Sequence, residues 1–316
     1  MMPRPAPMPA SAPAARHGPL AQPAPDLTGG NSTHLLSGGD ELFPAMCRAI
    51  AMARHQVWLA TYIFDDDTAG QQVATALADA ARRGVWVGVV VDGFGSKSTL
   101  PVLRQWLRDA GVNLAVFRPI DRWWRALQPG QFSRLHQKLC VVDGLHGFIG
   151  GINVLDDRHD LNHGWVDAPR LDFAVALGGP VVLQMEHAVR AVWTRAALGA
   201  DWPEEVLNVA RSAEPLARAR RVLSRLRMLA PAAPKTTASL APVRVAFLVR
   251  DNLRRRRSIE QAYIEAIGRA RQRVDLACPY FYPGRVFMRT LRDAARRGVK
   301  VRLLLQGKVD YRFAAL

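Results

Sequence analysis

Apolar positions along the chain switch between a helical and an extended period. Phe43, Met46, Cys47 and Ile50 recur at helical spacing and lead into the apolar run Val57 to Phe64, which predicts a helix followed by a buried strand. A second helical stretch spans 70–83. After Gly84 comes Val85-Trp-Val-Gly-Val-Val-Val91, β-rich and apolar on both faces, the pattern of a central parallel strand. The alternation continues with a helix over 103–110, extended segments at 113–117, 139–142 and 148–149, and a helix over 180–197. Strands and helices in such alternation predict an α/β layered sheet flanked by helices.

Residues 1–39 hold repeated Pro, Ala, Gly and Ser with no sustained apolar period, and they read as a disordered tail. Order is expected from about Glu41, so a first globular half occupies 40–202. Residues 203–242 lose strand signals and carry Arg218, Arg220, Arg221, Arg225 and Arg227, the composition of a basic connector. Beyond it the first half's pattern starts again. Ala49-Ile50, Val57, Leu59 and Phe64 return as Ala266-Ile267, Val274, Leu276 and Phe281 at a constant offset of 217. The run Ala80-Ala-Arg-Arg-Gly-Val85 returns as Ala294-Ala-Arg-Arg-Gly-Val299 at an offset of 214. The expectation is a duplicated fold whose second half, 243–316, contributes three strands at 243–248, 274–277 and 299–305.

The 316 residues carry 43 Lys and Arg against 27 Asp and Glu, a formal net charge of +16. That excess favours a polyanionic partner, nucleic acid or an anionic lipid surface. Three cysteines without a C-x-x-C pair suggest neither a disulfide framework nor a thiolate metal cage. No stretch reaches the length of an uncharged membrane-spanning helix.

One segment concentrates chemistry: His136-Gln-Lys138-Leu-Cys-Val-Val-Asp143, followed by Gly150-Gly151-Ile-Asn153. In an extended chain His136 and Lys138 share a face, placing an imidazole beside an ammonium. Lysine offers compact charge to phosphate oxygens, and a neutral imidazole attacks phosphorus or moves protons near neutral pH. Gly150 and Gly151 permit close backbone approach, and the Asn153 amide has protons to donate to a phosphate oxygen.

The spacing H-x-K-x4-D-x6-G-G-x-N resembles the signature of the phospholipase D superfamily at every position. Within that superfamily the chain is similar to bacterial cardiolipin synthases of the B type. Tyr62-Ile-Phe64, Val91-Asp-Gly-Phe-Gly-Ser96, Trp123-Trp124, Arg250 to Arg257 and Tyr280-Phe281 carry the likeness. The resemblance implies a phosphatidyl-histidine intermediate, with a second motif's histidine protonating the leaving alcohol, and neither metal nor cofactor. His136 becomes nucleophile or acid/base partner, with Lys138 and Asn153 on the phosphate. Asp143 sits in the motif, either as a participant or as an organiser of its loop. Asp172, opening Asp-Phe-Ala-Val, is the candidate carboxylate to orient the histidine, with Asp167 second.

Implied partners are anionic phospholipid, phosphatidylglycerol foremost, and a membrane surface, at the cytoplasmic side of a bacterial inner membrane. No dedicated nucleic-acid partner is expected. A nuclease acting on DNA and an inactive lipid-binding remnant are the alternatives. Gly93 precedes His136 by 43 residues, whereas its counterpart Gly307 is followed by 9, so a second motif would fall beyond Leu316. The expectation is a second half cut short and impaired turnover. A homodimer would unite two motifs, although the partial second half stands where a partner's first half would fit.

Other features have plain readings. Arg254 to Arg257 reads as a lipid contact or as a solvated entry to a helix capped by Ser258-Ile-Glu-Gln261. Trp123-Trp124 reads as an interfacial anchor or as core. Cys140 reads as a small buried apolar residue. His146, His159 and His163 lack metal-ligand spacing, and Gly93-Phe-Gly95 lacks a nucleotide-loop pattern.

Overall fold

A computed structural model describes residues 27–119, 134–160, 164–198, 243–250 and 257–306. The predicted basic connector, Trp123-Trp124, His163 and Arg254 to Arg256 lie outside the described residues. The chain divides into two units, one spanning Leu27–Phe247 and the other including Leu248–Leu316.

In the first unit the elements run β1 (Thr28–Ser37), α1 (Gly38–Ala51), β2 (Gln56–Thr61), α2 (Thr68–Arg82), β3 (Trp86–Asp92), α3 (Leu100–Arg108) and β4 (Asn113–Phe117). They continue with β5 (Leu139–Val142), β6 (His146–Gly150), β7 (His159–Asp160), β8 (Gly164–Trp165), β9 (Phe173–Gly178), α4 (Val181–Leu198) and β10 (Val243–Val245). Eight strands form one sheet in the order β10-β1-β9-β6-β5-β2-β3-β4, and β7 and β8 form a separate hairpin. Strands β2, β3 and β4 pair in parallel, whereas β5 lies antiparallel to β2, β6 to β5, and β9 to β6.

Alternation along β2 divides the core into two layers. Val57 and Leu59 face the layer closed by Met46, Ile50, Val73, Leu77 and Leu103 of α1, α2 and α3. Trp58 and Ala60 face the layer closed by Val182, Met185, Val189 and Trp193 of α4. Helices thus cover both faces, which is why β2 and β3 carry no polar alternation.

Two expectations change in this unit. Residues 28–39, assigned to the tail, form β1 and the first residues of α1. Polar Asn31 makes that strand possible: 1% exposed, it donates to the Thr28 carbonyl at 2.7 Å and accepts the Val181 N–H at 2.9 Å. The strand at 243–245 was assigned to the second half, yet it pairs antiparallel with β1 at the edge of this sheet.

The second unit contains α5 (Ser258–Arg269), β11 (Arg273–Cys278), α6 (Arg285–Arg296) and β12 (Lys300–Leu305). Ile267, Phe287, Leu291, Ala294 and Val299 form its core. The duplication appears in the strand register: β2 pairs Gln56 with Trp86, and β11 pairs Arg273 with Lys300, also in parallel. The offsets of 217 and 214 carry one pair onto the other. The capping box predicted from Ser258 is not formed. Ser258 is itself helical, its hydroxyl donates to the Val249 carbonyl at 3.1 Å, and Arg257 pairs with Glu260 at 3.0 Å.

Candidate active site

The sheet topology brings distant segments to one edge. β2 and β3 run parallel, so both end at the same side; β5, antiparallel to β2, begins there, β6 ends there and β9 begins there. Open α/β sheets commonly bind ligands in the crevice beyond the carboxyl ends of their strands. His136, Lys138, Gly150, Gly151, Asn153 and Asp172 all fall at that edge.

Residues 134–138 form the extended lead-in to β5. The Lys138 Nζ lies 3.5 Å from His136 Nε2, so the two side chains share a face as expected. Lys138 is buried while His136 is exposed. The ring of Tyr62, just past β2, lies 5.5 Å from the imidazole centroid and 5.7 Å from Lys138 Nζ. Partial desolvation of the ring and the neighbouring Lys138 charge push the His136 pKa down, with Asp92 opposing them. Burial pushes Lys138 down to about 8, opposed by Asp172. A neutral imidazole beside a cation near its titration point is suited to phosphoryl chemistry at neutral pH.

The glycine pair has a different use from the one expected of it. A Cβ on Gly150 would lie 2.4 Å from the Phe173 carbonyl oxygen, and one on Gly151 would lie 2.3 Å from Asp172 Oδ1. Their missing side chains let β9 and the Asp172 carboxylate approach, rather than making room for a ligand. The Asp172 charge reaches Lys138. Asn153 accepts the Ile63 N–H through Oδ1 at 3.1 Å, which orients its amide and leaves the NH2 group to donate. Asp167 is exposed in the segment after β8 and has no described contact with these groups.

Asp143 lies past the opposite end of β5, five residues from Lys138 in an extended chain, roughly 16 Å away. At φ 52°, its carboxylate accepts the N–H groups of Arg54, His55 and Gln56 at 2.8, 2.9 and 2.8 Å. It fastens the turn into β2, the loop-organising role of the two expected for it, and lies away from the His136 and Lys138 pair rather than beside it as a catalytic residue would. His146 is likewise at that far end, opposite Val142. Asp143→Ala is expected to lower unfolding free energy by about 2 kcal/mol through three unsatisfied donors. Urea denaturation checks this, and phosphate affinity should be unchanged.

Sequence reasoning missed Asp92. Fully buried, it accepts the Phe94 and Gly95 N–H groups through Oδ1 at 2.8 and 3.1 Å. Through Oδ2 it accepts the Leu135 N–H at 2.8 Å, one residue before His136. It therefore holds the His136 segment against the end of β3. The glycine-rich stretch after it serves packing: a Cβ on Gly95 would lie 2.4 Å from the Tyr62 carbonyl oxygen. Cys140, by contrast, is buried in the core as expected.

His159, dismissed from its spacing, meets Asp65 and Asp67 in space.

Comparison with known proteins follows the same lines. The family described as "Cardiolipin synthase, PLD-like domain" matches residues 46–165 and 263–315, so it covers parts of both units. Cardiolipin synthase B of Escherichia coli K12 is 32% identical over 89% of this chain and 61% of its own length. Cardiolipin synthase A of Pseudomonas fluorescens SBW25 is 34% identical over 89% of this chain and 52% of its own. The chain thus spans just over half the length of these relatives. The crystal structure of phosphatidylserine synthase from Haemophilus influenzae Rd KW20 superposes with a TM-score of 0.54 at 14% identity. It covers 86% of this chain and 61% of that one, a likeness of fold.

Proposed function

The chain belongs to the phospholipase D-like family of cardiolipin synthases, and from that premise we propose that its first unit binds and opens phospholipid phosphodiesters. The observation that carries the reading is the 3.5 Å His136 Nε2 to Lys138 Nζ pair at the strand edge shared with Asn153 and Asp172.

The His136 Nε2 lone pair attacks phosphorus, and the ester bond to the leaving alcohol breaks. The phosphatidyl group is then held on the imidazole, and the departing alkoxide takes a proton from an acid. An incoming alcohol, that of phosphatidylglycerol for cardiolipin synthesis, attacks the phosphoryl-histidine and restores the free imidazole. Lys138 and the Asn153 NH2 hold the non-bridging oxygens, neutralising charge as it develops. The Asp172 charge favours the charged form of Lys138. The 316 residues contain one H-x-K-x4-D motif. The proton donor is therefore the part of the cycle that this half-site does not supply, and turnover by these residues alone is expected to be slow.

The setting is a membrane surface. A net charge of +16 favours an anionic bilayer, and among the described residues no helix is long and apolar enough to cross one. Peripheral attachment at the cytoplasmic side of a bacterial inner membrane fits that charge and fold.

The test is incubation with phosphatidylglycerol vesicles and, separately, with plasmid DNA. New diphosphatidyl product carrying four acyl chains, with release of glycerol, supports the reading; nicked plasmid with unchanged lipid overturns it in favour of a nuclease. The pH profile is a second check. His136 must be neutral to attack, so kcat/KM should rise through an acid limb below the ordinary histidine value of 6.5. Lys138 must be charged to hold phosphate, so it should fall through a limb near 8. A flat profile between 5 and 9 would count against both assignments.

A further inference from the structure

Apart from the phosphate-binding edge, three side chains converge where β2 leads into α2. Asp65 and Asp67 lie just before α2, Asp67 as its N-cap, and His159 comes from β7. One ligand atom from each lies within 4.8 Å of the others. Asp65 is 6% exposed, and among the described residues neither its Oδ2 nor His159 Nδ1 has a hydrogen-bond partner. Yet these two atoms are 3.0 Å apart. At that separation only misalignment prevents a hydrogen bond, so the oxygen lies off the axis of the ring nitrogen.

Two buried polar atoms this close, with no hydrogen bond between them or to another described residue, are open to a shared cation. Donors ~2.1 Å from a shared cation and at right angles to one another are ~3.0 Å apart. Asp67 Oδ2 stands 3.9 Å from the same nitrogen, a wider angle about the same centre. Its carboxylate is already oriented by the N–H groups of Gly70 at 2.9 Å and Asp156 at 2.6 Å, and Oδ2 keeps a second lone pair. The His159 ring is stacked on Trp165 at 5.3 Å between centroids, which fixes its plane.

We propose that Asp65, Asp67 and His159 form a divalent transition-metal site, with water completing the coordination. One imidazole and two carboxylates suit Zn2+ or Mn2+ over the harder Mg2+. The cation neutralises two carboxylates that otherwise stand together near a buried position. It also clamps two segments beside the phosphate-binding edge. Asp65 N–H donates to the Val154 carbonyl at 2.8 Å, next to Asn153, and His159 lies further along the same stretch. The site is structural, and it stands whether or not the chain transfers phosphatidyl groups.

The experiment uses the 316-residue chain stripped with a chelator and dialysed. Titration with Zn2+ or Mn2+ should show one equivalent bound. Tm should rise by about 5 °C or more at a hundredfold excess over Kd, and Mg2+ should leave it unchanged. Asp65→Asn and His159→Gln should each lose the bound equivalent and the shift, while His146→Gln, at an exposed histidine, keeps both. If Asp65→Asn does not fold, His159→Gln decides alone, since its side chain is 27% exposed and its loss opens no core. Absence of stoichiometric binding, equal binding by His159→Gln, or an equal response to Mg2+ overturns the proposal.

Discussion

Replacing His136 with alanine should reduce phosphatidyl transfer by roughly 10⁴-fold or more, the scale on which a nucleophile and its covalent intermediate contribute. The substitution isolates chemistry from folding because the imidazole is exposed and its contacts among the described residues are the 3.5 Å approach to Lys138 and the ring contact to Tyr62. Thermal unfolding should therefore shift by no more than about 2 °C, as surface changes usually do. Intact mass after mixing with a short-chain phosphatidylglycerol provides the direct readout. The unaltered chain should gain one phosphatidyl group, stable in base and labile in acid as a phosphoramidate is, and the alanine variant should gain none. An alanine variant within tenfold of the unaltered rate, or still labelled, would remove His136 from the reaction.

How much of this site was legible in the sequence depends on how local each piece is. The His136 and Lys138 pairing is a two-residue relation fixed by the extended backbone, so spacing alone revealed it. The duplication was legible for a similar reason: the constant offsets follow strand residues that pair in an equivalent parallel register in both units. Asp143 shows where spacing misleads. It belongs to the same motif, but β5 carries it to the far end of the strand, where it binds three backbone N–H groups.

Nonlocal pieces were harder to see. β1 is rich in Gly, Asn, Ser and Thr, a composition that looks unstructured until β9 and β10 supply its hydrogen bonds from each side. The strand at 243–245 has the apolar character of the second half, and only its pairing with β1 assigns it to the first. Asp65 and His159 are joined by a fold in which Phe64 bridges Val154, a contact no short-range spacing encodes. Asp92 had a signal that was read for likeness alone. An acidic residue ending a wholly apolar strand, just before Gly-Phe-Gly, asks what its charge is for.

That question leads to the second large effect. Asp92→Ala should destabilise the first unit by roughly 3 kcal/mol, because the N–H groups of Phe94, Gly95 and Leu135, the last of them buried, lose their acceptor together. Asp92→Asn keeps the shape and one acceptor oxygen. Whichever way the amide turns, its NH2 meets an N–H donor, so a smaller loss of about 2 kcal/mol is expected. The effect on turnover should be disproportionate. Leu135 immediately precedes His136, and a catalytic group displaced by about 1 Å can cost roughly 10²-fold in rate. Asp92 acts through the His136 segment as a positioning residue. In the asparagine variant kcat should fall by about that factor, and the acid limb of the pH profile should move lower, since the charge that raises the His136 pKa is gone. Urea denaturation, kcat and the pH profile of Asp92→Asn separate the alternatives. Lost stability with unchanged kcat and an unmoved acid limb would make Asp92 an ordinary buried anchor, whereas all three changes together tie the end of β3 to the reactivity of the imidazole.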